Sequence, residues 1–174
     1  MRVIAGELGG RKLLSPRSGD VRPTADRVRE ALFSILGDVG GCRTLDLYCG
    51  TGSLGIEAIS RGAADATLVD TDVRPAADNL AALGIEDRVE LVRSDALRYL
   101  GREQGTYDLI FCDPPYILAP RLGPDLDKLL APRLSGGARL IVESAATDRI
   151  ELSLPLLDER SYGATAIRIH GAPE

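Results

Sequence analysis

The chain has few cysteines and a single histidine, and it lacks any long apolar run. Cys42, Cys49 and Cys112 are odd in number and lack metal-ligand spacing, so neither a disulfide framework nor a metal site is expected. The only histidine, His170, lies in the tail, which argues against chemistry that depends on an imidazole acid or base. Nothing reads as a signal peptide or a membrane span, so a soluble, reduced, cytoplasmic protein with no membrane partner is expected. Internal repeats and low-complexity tracts are missing too. A length of 174 residues with 44% hydrophobic content suits one compact domain and leaves no room for a second full one.

What is present is unevenly charged. Net charge is −5, yet residues 1–29 hold seven basic side chains against three acids, a local balance of +4 on an otherwise acidic chain. A basic arm suits phosphate contacts, while an acidic body suits a small-molecule site. The expected division is an N-terminal hairpin and helix over 1–40 and a core over 41–174, within a single compact unit. A chance clustering of solvated charges is the competing reading.

The apolar pattern supports that division. Val3-Ile4 and Leu13-Leu14 flank Gly9-Gly10 in a hairpin outline. Over 24–36 the residues Ala25, Val28, Ala31, Leu32, Ile35 and Leu36 form a helical stripe, with Thr24 or Asp26 to cap it and Gly37 to end it. Strand-like runs at 44–48, 66–70, 89–93, 109–112 and 138–143 then alternate with helical windows at 53–61, 73–83, 96–101 and 122–130. That alternation predicts a doubly wound α/β sheet of parallel strands. Runs at 156–162 and 164–170, joined at Gly163, predict a hairpin that adds an antiparallel edge.

After the first strand comes the stretch Asp46, Leu47, Tyr48, Cys49, Gly50, Thr51, Gly52, Ser53, Leu54 and Gly55. Its glycines allow a tight turn that brings backbone close to a nucleotide-like ligand at the next helix. Gly50, Gly52 and Gly55 also spell a dinucleotide fingerprint, and Asp70 stands where a ribose-binding acid belongs, so a nicotinamide or flavin enzyme is a real alternative. Asp46 argues the other way, because a carboxylate beside the loop repels a pyrophosphate and attracts a cation. S-adenosylmethionine carries an ammonium and a sulfonium and no phosphate. Asp70 with Thr71, and Asp95 with the backbone of Ala96, close the next two strands and would reach the ribose hydroxyls and the adenine amino group. Each of these acids could instead do no more than cap a helix, and for Asp72 capping is the preferred role.

The strand over 109–112 delivers Asp113, Pro114, Pro115 and Tyr116. An amino group on a base ring is a poor nucleophile, so an enzyme must hold its nitrogen in line with the methyl group and accept its hydrogens. The Asp113 carboxylate and the Pro114 carbonyl are acceptors, the prolines stiffen the turn, and Tyr116 offers a face for stacking. Such positioning can lower a barrier by about 7 to 11 kcal/mol, more than a carboxylate of ordinary pKa gains by proton transfer. A proline-rich turn with an Asx cap is the bland alternative.

Asp46 through Gly55, Asp70, Asp95 and Asp113 to Tyr116 resemble, in order and spacing, the Rossmann-like class I methyltransferases that modify exocyclic amines. Arg2 to Gly6, Gly10 to Leu13, Arg22 to Phe33 and Leu54 to Ala63 are similar to the RsmD family, bacterial small-subunit ribosomal RNA guanine-N2 methyltransferases. The resemblance spans nearly the whole chain. It implies a seven-stranded, mostly parallel sheet, S-adenosylmethionine as cofactor, and 16S ribosomal RNA or the small subunit as partner of a monomeric enzyme. RNA contacts would come from Arg2, Arg11, Lys12, Arg22, Thr24 and Arg27, the last two near the cofactor or target; a solvated helix face is the alternative for Arg27 and Arg29. One departure is Asp70, where many relatives carry the longer glutamate.

Other readings remain open at this point. A DNA amine methylase would share the tetrapeptide, although no segment is large enough for a separate sequence-reading domain. A protein glutamine methylase usually has Asn in place of Asp113. Covalent C5 methylation would need a thiol in or after the proline turn, whereas Cys112 ends a strand and should point into the core. A non-catalytic nucleotide-binding module is the candidate from another class.

Overall fold

In the computed structural model, residues 1–14, 26–115 and 119–173 are described. The elements follow the order α1 (Asp26–Leu36), β1 (Arg43–Leu47), α2 (Ser53–Ser60), β2 (Asp65–Asp70), α3 (Arg74–Leu83), β3 (Val89–Arg93), α4 (Ala96–Leu100), β4 (Tyr107–Cys112), α5 (Ala119–Leu130), β5 (Leu134–Ala145), β6 (Leu156–Tyr162) and β7 (Thr165–Gly171). They build one seven-stranded sheet in the order β3-β2-β1-β4-β5-β7-β6. Strands β1 to β5 pair in parallel, and β7 runs antiparallel to both β5 and β6. The expected doubly wound sheet is therefore present.

Strand alternation sorts the core into two layers. Leu68, Leu109, Phe111 and Ile141 face one side with Phe33 of α1, Ile56 and Ile59 of α2, and Leu80 of α3. Leu45, Leu47, Ile110, Leu140 and Val142 face the other with Leu100 of α4 and Leu126 and Leu130 of α5. The tail hairpin lies at the edge as expected, and packing decides which of its strands is innermost. Buried Ala166, Ile167 and Ile169 place β7 against β5, while β6, with Asp158, Glu159 and Arg160, is left outermost, where its charges discourage further pairing. Cys112 is buried in the second layer, as its place at the end of β4 suggests.

The N-terminal hairpin is small but anchored. An antiparallel bridge joins Arg2 and Lys12, and the backbone amides of Val3 and Gly10 bond the carbonyls of Arg11 and Val3. Val3 and Leu13 enter the first core layer. Gly6, at φ +83°, lets the loop touch α2 so closely that a Cβ would sit 1.8 Å from the Ser60 carbonyl oxygen, and the Glu7 amide bonds that same oxygen at 2.8 Å. The buried Glu57 carboxylate of α2 accepts from the amides of Ile4 at 2.7 Å and Ala5 at 3.0 Å, and from Arg61 Nε at 2.7 Å.

One side chain departs from its surface alternative. Arg29 is not on a solvated helix face: it is fully buried, donating to the Arg2 carbonyl and to Asp26 Oδ1 at 3.1 Å, with Glu57 Oε2 3.8 Å from its Nε. Packing of the hairpin over α1 removes that face from water, and Asp26 and Glu57 together supply the counter-charge.

Candidate active site

The sheet order reverses between β1 and β4, and the carboxyl ends of neighbouring parallel strands frame a crevice at such a point. Leu47 is the register partner of Cys112, and the Asp113 amide lies 3.4 Å from the Leu47 carbonyl. The glycine loop that follows β1 and the proline turn that follows β4 are thus neighbours across that point. Pro114 is buried, Pro115 exposed and Asp113 half-buried. Tyr116 lies outside the described residues.

The loop is built on left-handed backbone. Tyr48 has φ 61°, Gly50 φ 54° and Gly52 φ 76°, and the Gly52 amide closes the turn on the Cys49 carbonyl at 2.7 Å. Asp46 is buried beneath it, its Oδ2 accepting from the Gly55 amide in the first turn of α2 at 2.9 Å. Asp70 Oδ2 accepts from the Gly50 amide at 2.9 Å, which ties the end of β2 to the same turn. The carboxylates of the first two strands therefore both brace the loop. Thr51 and Ser53 are buried, and Thr71 is exposed beside Asp70. Leu47 and Ala96 point into the core, so only their backbones are available to a ligand. Asp95 Oδ1 caps α4 by accepting from the Arg98 amide at 3.0 Å, and Asp72 Oδ1 accepts from the Arg74 amide at 3.2 Å at the start of α3.

Electrostatics single out two carboxyls. Burial pushes Asp46 up to about 7, helped by the nearby Asp70 charge and opposed by the Gly55 amide. Burial first, then the Glu143 and Asp46 carboxylates, hold Asp113 well above the usual carboxylate range. Among the described residues the groups acting on this pair are the Gly55 amide and other carboxylates, so a bound cation would stabilise their charged forms. Burial likewise raises the thiols of Cys49 and Cys112, so neither is a ready nucleophile. His170 is buried away from the crevice, its Nδ1 3.1 Å from the Leu154 carbonyl.

Two residues of the site escape a reading by motif. Glu143 closes the apolar run of β5, and the register of Cys112 with Val142 carries it alongside Asp113. A carboxylate at the end of an apolar strand, adjoining the strand with the tetrapeptide, is the signal that could have flagged it. Asn79 of α3 bonds the Thr51 carbonyl at 3.0 Å and has no sequence signal beyond a polar residue on an apolar helix face.

Of the proposed RNA-contacting side chains, Arg2, Arg11, Lys12 and Arg27 are exposed. Arg11 also donates to the Ala82 carbonyl at 3.2 Å. Arg22 and Thr24 lie outside the described residues. A separate depression of about 400 Å³, lined by Asp65, Thr67, Asp87 and Glu90 among others, sits at the amino ends of β2 and β3, on the opposite edge of the sheet from this crevice.

A seven-stranded sheet with β7 inserted antiparallel, a glycine loop after β1 and an Asp-Pro-Pro turn after β4 define a Rossmann-like α/β fold of the class I methyltransferase type. Solved structures agree: the Escherichia coli protein yhhF superposes with a TM-score of 0.87 at 33% identity over 99% of this chain and 97% of that one. At 20% identity an RNA methyltransferase from Salinibacter ruber, in complex with S-adenosyl-L-homocysteine, shares the fold with a TM-score of 0.68 over 88% of this chain and 95% of that one. The family model described as conserved hypothetical protein 95 matches residues 1–171, and the chain belongs to that family, the RsmD family. Among curated relatives, ribosomal RNA small subunit methyltransferase D of Escherichia coli K12 is 41% identical over 120 residues. That match covers 67% of this chain and 60% of the relative's length.

Proposed function

We propose that the protein transfers a methyl group from S-adenosylmethionine to the exocyclic 2-amino group of a guanine in 16S ribosomal RNA, acting as a monomer in the cytoplasm. The observation that carries this reading is the adjacency of the two turns: the Asp113 amide is 3.4 Å from the carbonyl of Leu47, the last residue before the loop. A methyl donor and an amine acceptor must meet at such a junction, because in-line transfer joins two reactants within a few ångströms. Similarity to the small-subunit methyltransferase supports the same reading, as does membership of the family.

The residues present fit the cofactor. A buried Asp46 pushed up to about 7 gains from a nearby cation, while a pyrophosphate there would meet Asp46 and Asp70. Asp46, Leu47, Tyr48, Gly50, Thr51, Gly52 and Ser53 would hold the donor by charge and backbone contact, with Asp70 and Thr71 at the ribose and Asp95 and Ala96 at the adenine. When bound, the cofactor supplies an electrophilic methyl on a sulfonium.

The remaining work falls to the proline turn and the arm. Asp113 and the Pro114 carbonyl accept the hydrogens of the target amine and align its lone pair, and Tyr116 stacks the base. As the nitrogen gains the methyl it sheds a proton, for which an ionised Asp113 with raised basicity is a suitable acceptor. Arg2, Arg11, Lys12, Arg22 and Arg27, with Thr24, would engage phosphates from the N-terminal extension.

Incubating the enzyme with tritium-labelled donor and small ribosomal subunits that lack the modification, then mapping the label, tests the proposal. Label on a guanine N2 is expected. Transfer only to DNA or protein, or none at all, would overturn it.

A further inference from the structure

Asn79 stands on the inner face of α3 with Ala76, Leu80 and Leu83, where packing alone would be served by a leucine. It is 1% exposed, so its carboxamide cannot be explained by solvent. Its hydrogen-bonding capacity is used by backbone from two distant segments. Oδ1 accepts from the Leu14 amide at 2.7 Å, and Nδ2 donates to the Thr51 carbonyl at 3.0 Å and, weakly at 3.5 Å, to the Leu14 carbonyl. Leu14 ends the described part of the N-terminal hairpin, and Thr51 is the centre of the glycine loop.

That loop needs an anchor. Thr51 is flanked by Gly50 and Gly52, both at positive φ, so its peptide planes have little stiffness of their own. Its carbonyl is turned inward to α3, and a buried carbonyl left without a donor would be costly. We propose that Asn79 is a positioning residue for the cofactor loop, and that through it the N-terminal hairpin and the cofactor site are linked. Order in the hairpin holds the loop in its binding shape, and cofactor binding in turn orders the hairpin. By reciprocity, RNA that engages the arm tightens the cofactor by the same factor that the cofactor tightens RNA. The proposal rests on the reading of 50–52 as a cofactor loop.

Two variants separate the chemistry from packing. Asn79→Asp keeps the shape and the acceptor for Leu14 but aims a carboxylate at two carbonyl oxygens; Asn79→Leu keeps the burial and loses every bond. Calorimetry with S-adenosylhomocysteine, well below the unfolding midpoint, should show both binding about tenfold or more weakly than the natural protein. Hydrogen exchange on the natural protein needs no variant: S-adenosylhomocysteine should slow exchange of the Leu14 amide several-fold. Variants that bind within about twofold of the natural protein, or a Leu14 amide indifferent to the cofactor, would overturn the linkage while leaving the function intact. A natural protein that does not bind S-adenosylhomocysteine would overturn the cofactor reading and the linkage together.

Discussion

Asp46 and Gly55 are joined by a 2.9 Å hydrogen bond from the Gly55 amide to Asp46 Oδ2, so a carboxylate one residue from the end of β1 also caps the first turn of α2. The bond leaves a buried acid beneath the loop with no cation among the described residues acting on it, and that has two measurable consequences.

The first is a pH dependence of stability. Asp46 is pushed up to about 7 in the folded chain, above an unfolded value of about 3.9, so the folded state holds the extra proton. Stability from this group is complete below about pH 4 and is lost as pH rises through about 7. Asp46→Asn should therefore gain on the natural protein by roughly 1 to 4 kcal/mol at pH 8 and by little near pH 4, in urea melts. Equal stability at the higher pH would remove the argument. The same variant should lose affinity for S-adenosylmethionine, and the natural protein should release protons on binding it near neutral pH, read from calorimetry in two buffers.

Asp113 should separate binding from turnover. Asp113→Asn is expected to bind S-adenosylhomocysteine normally and to lose about a hundredfold or more in methyl transfer, since orientation and acceptor charge fail together. On the proposed mechanism the ionised form is the acceptor, so the rate should rise with pH through a midpoint above the ordinary carboxylate range. A flat profile, or an active Asn variant, would show that the group does not act on the amine.

Glu57 should control attachment of the hairpin. Glu57→Ala removes the acceptor for the Ile4 and Ala5 amides and takes from buried Arg29 one of its two carboxylate neighbours, leaving Asp26. A cost of about 3 to 5 kcal/mol is expected, or roughly 6 to 20 °C in the midpoint of a chain this size, with early proteolysis near the N-terminus. A midpoint within a few degrees of the natural one would contradict the clasp.

The exposed basic side chains give a fourth test. Arg2→Glu with Lys12→Glu should weaken RNA binding and reduce its salt slope by about 1.4 to 1.8 if both touch phosphate. Arg11 is a poorer choice, because its guanidinium also holds the Ala82 carbonyl. An unchanged slope would exclude the arm from the interface.

The alternating strands and helices, the glycine turn and the tetrapeptide were legible from residue order, because apolar period and turn chemistry act between near neighbours in the chain. The strand expected over 138–143 extends over Leu134–Ala145, as Gly136 and Gly137 let it bend through a register shift that the apolar pattern does not display. By itself, then, the order of residues determined the doubly wound sheet and which acids end its strands. Only the tertiary structure decided that Arg29 is buried on Glu57, that β7 rather than β6 meets β5, that Glu143 adjoins Asp113, and that Asn79 joins Leu14 to Thr51. Each of these depends on which distant surfaces exclude water together. A charge or an amide is indifferent to its neighbours in sequence until packing removes the solvent and leaves it only the partners that the fold brings to it.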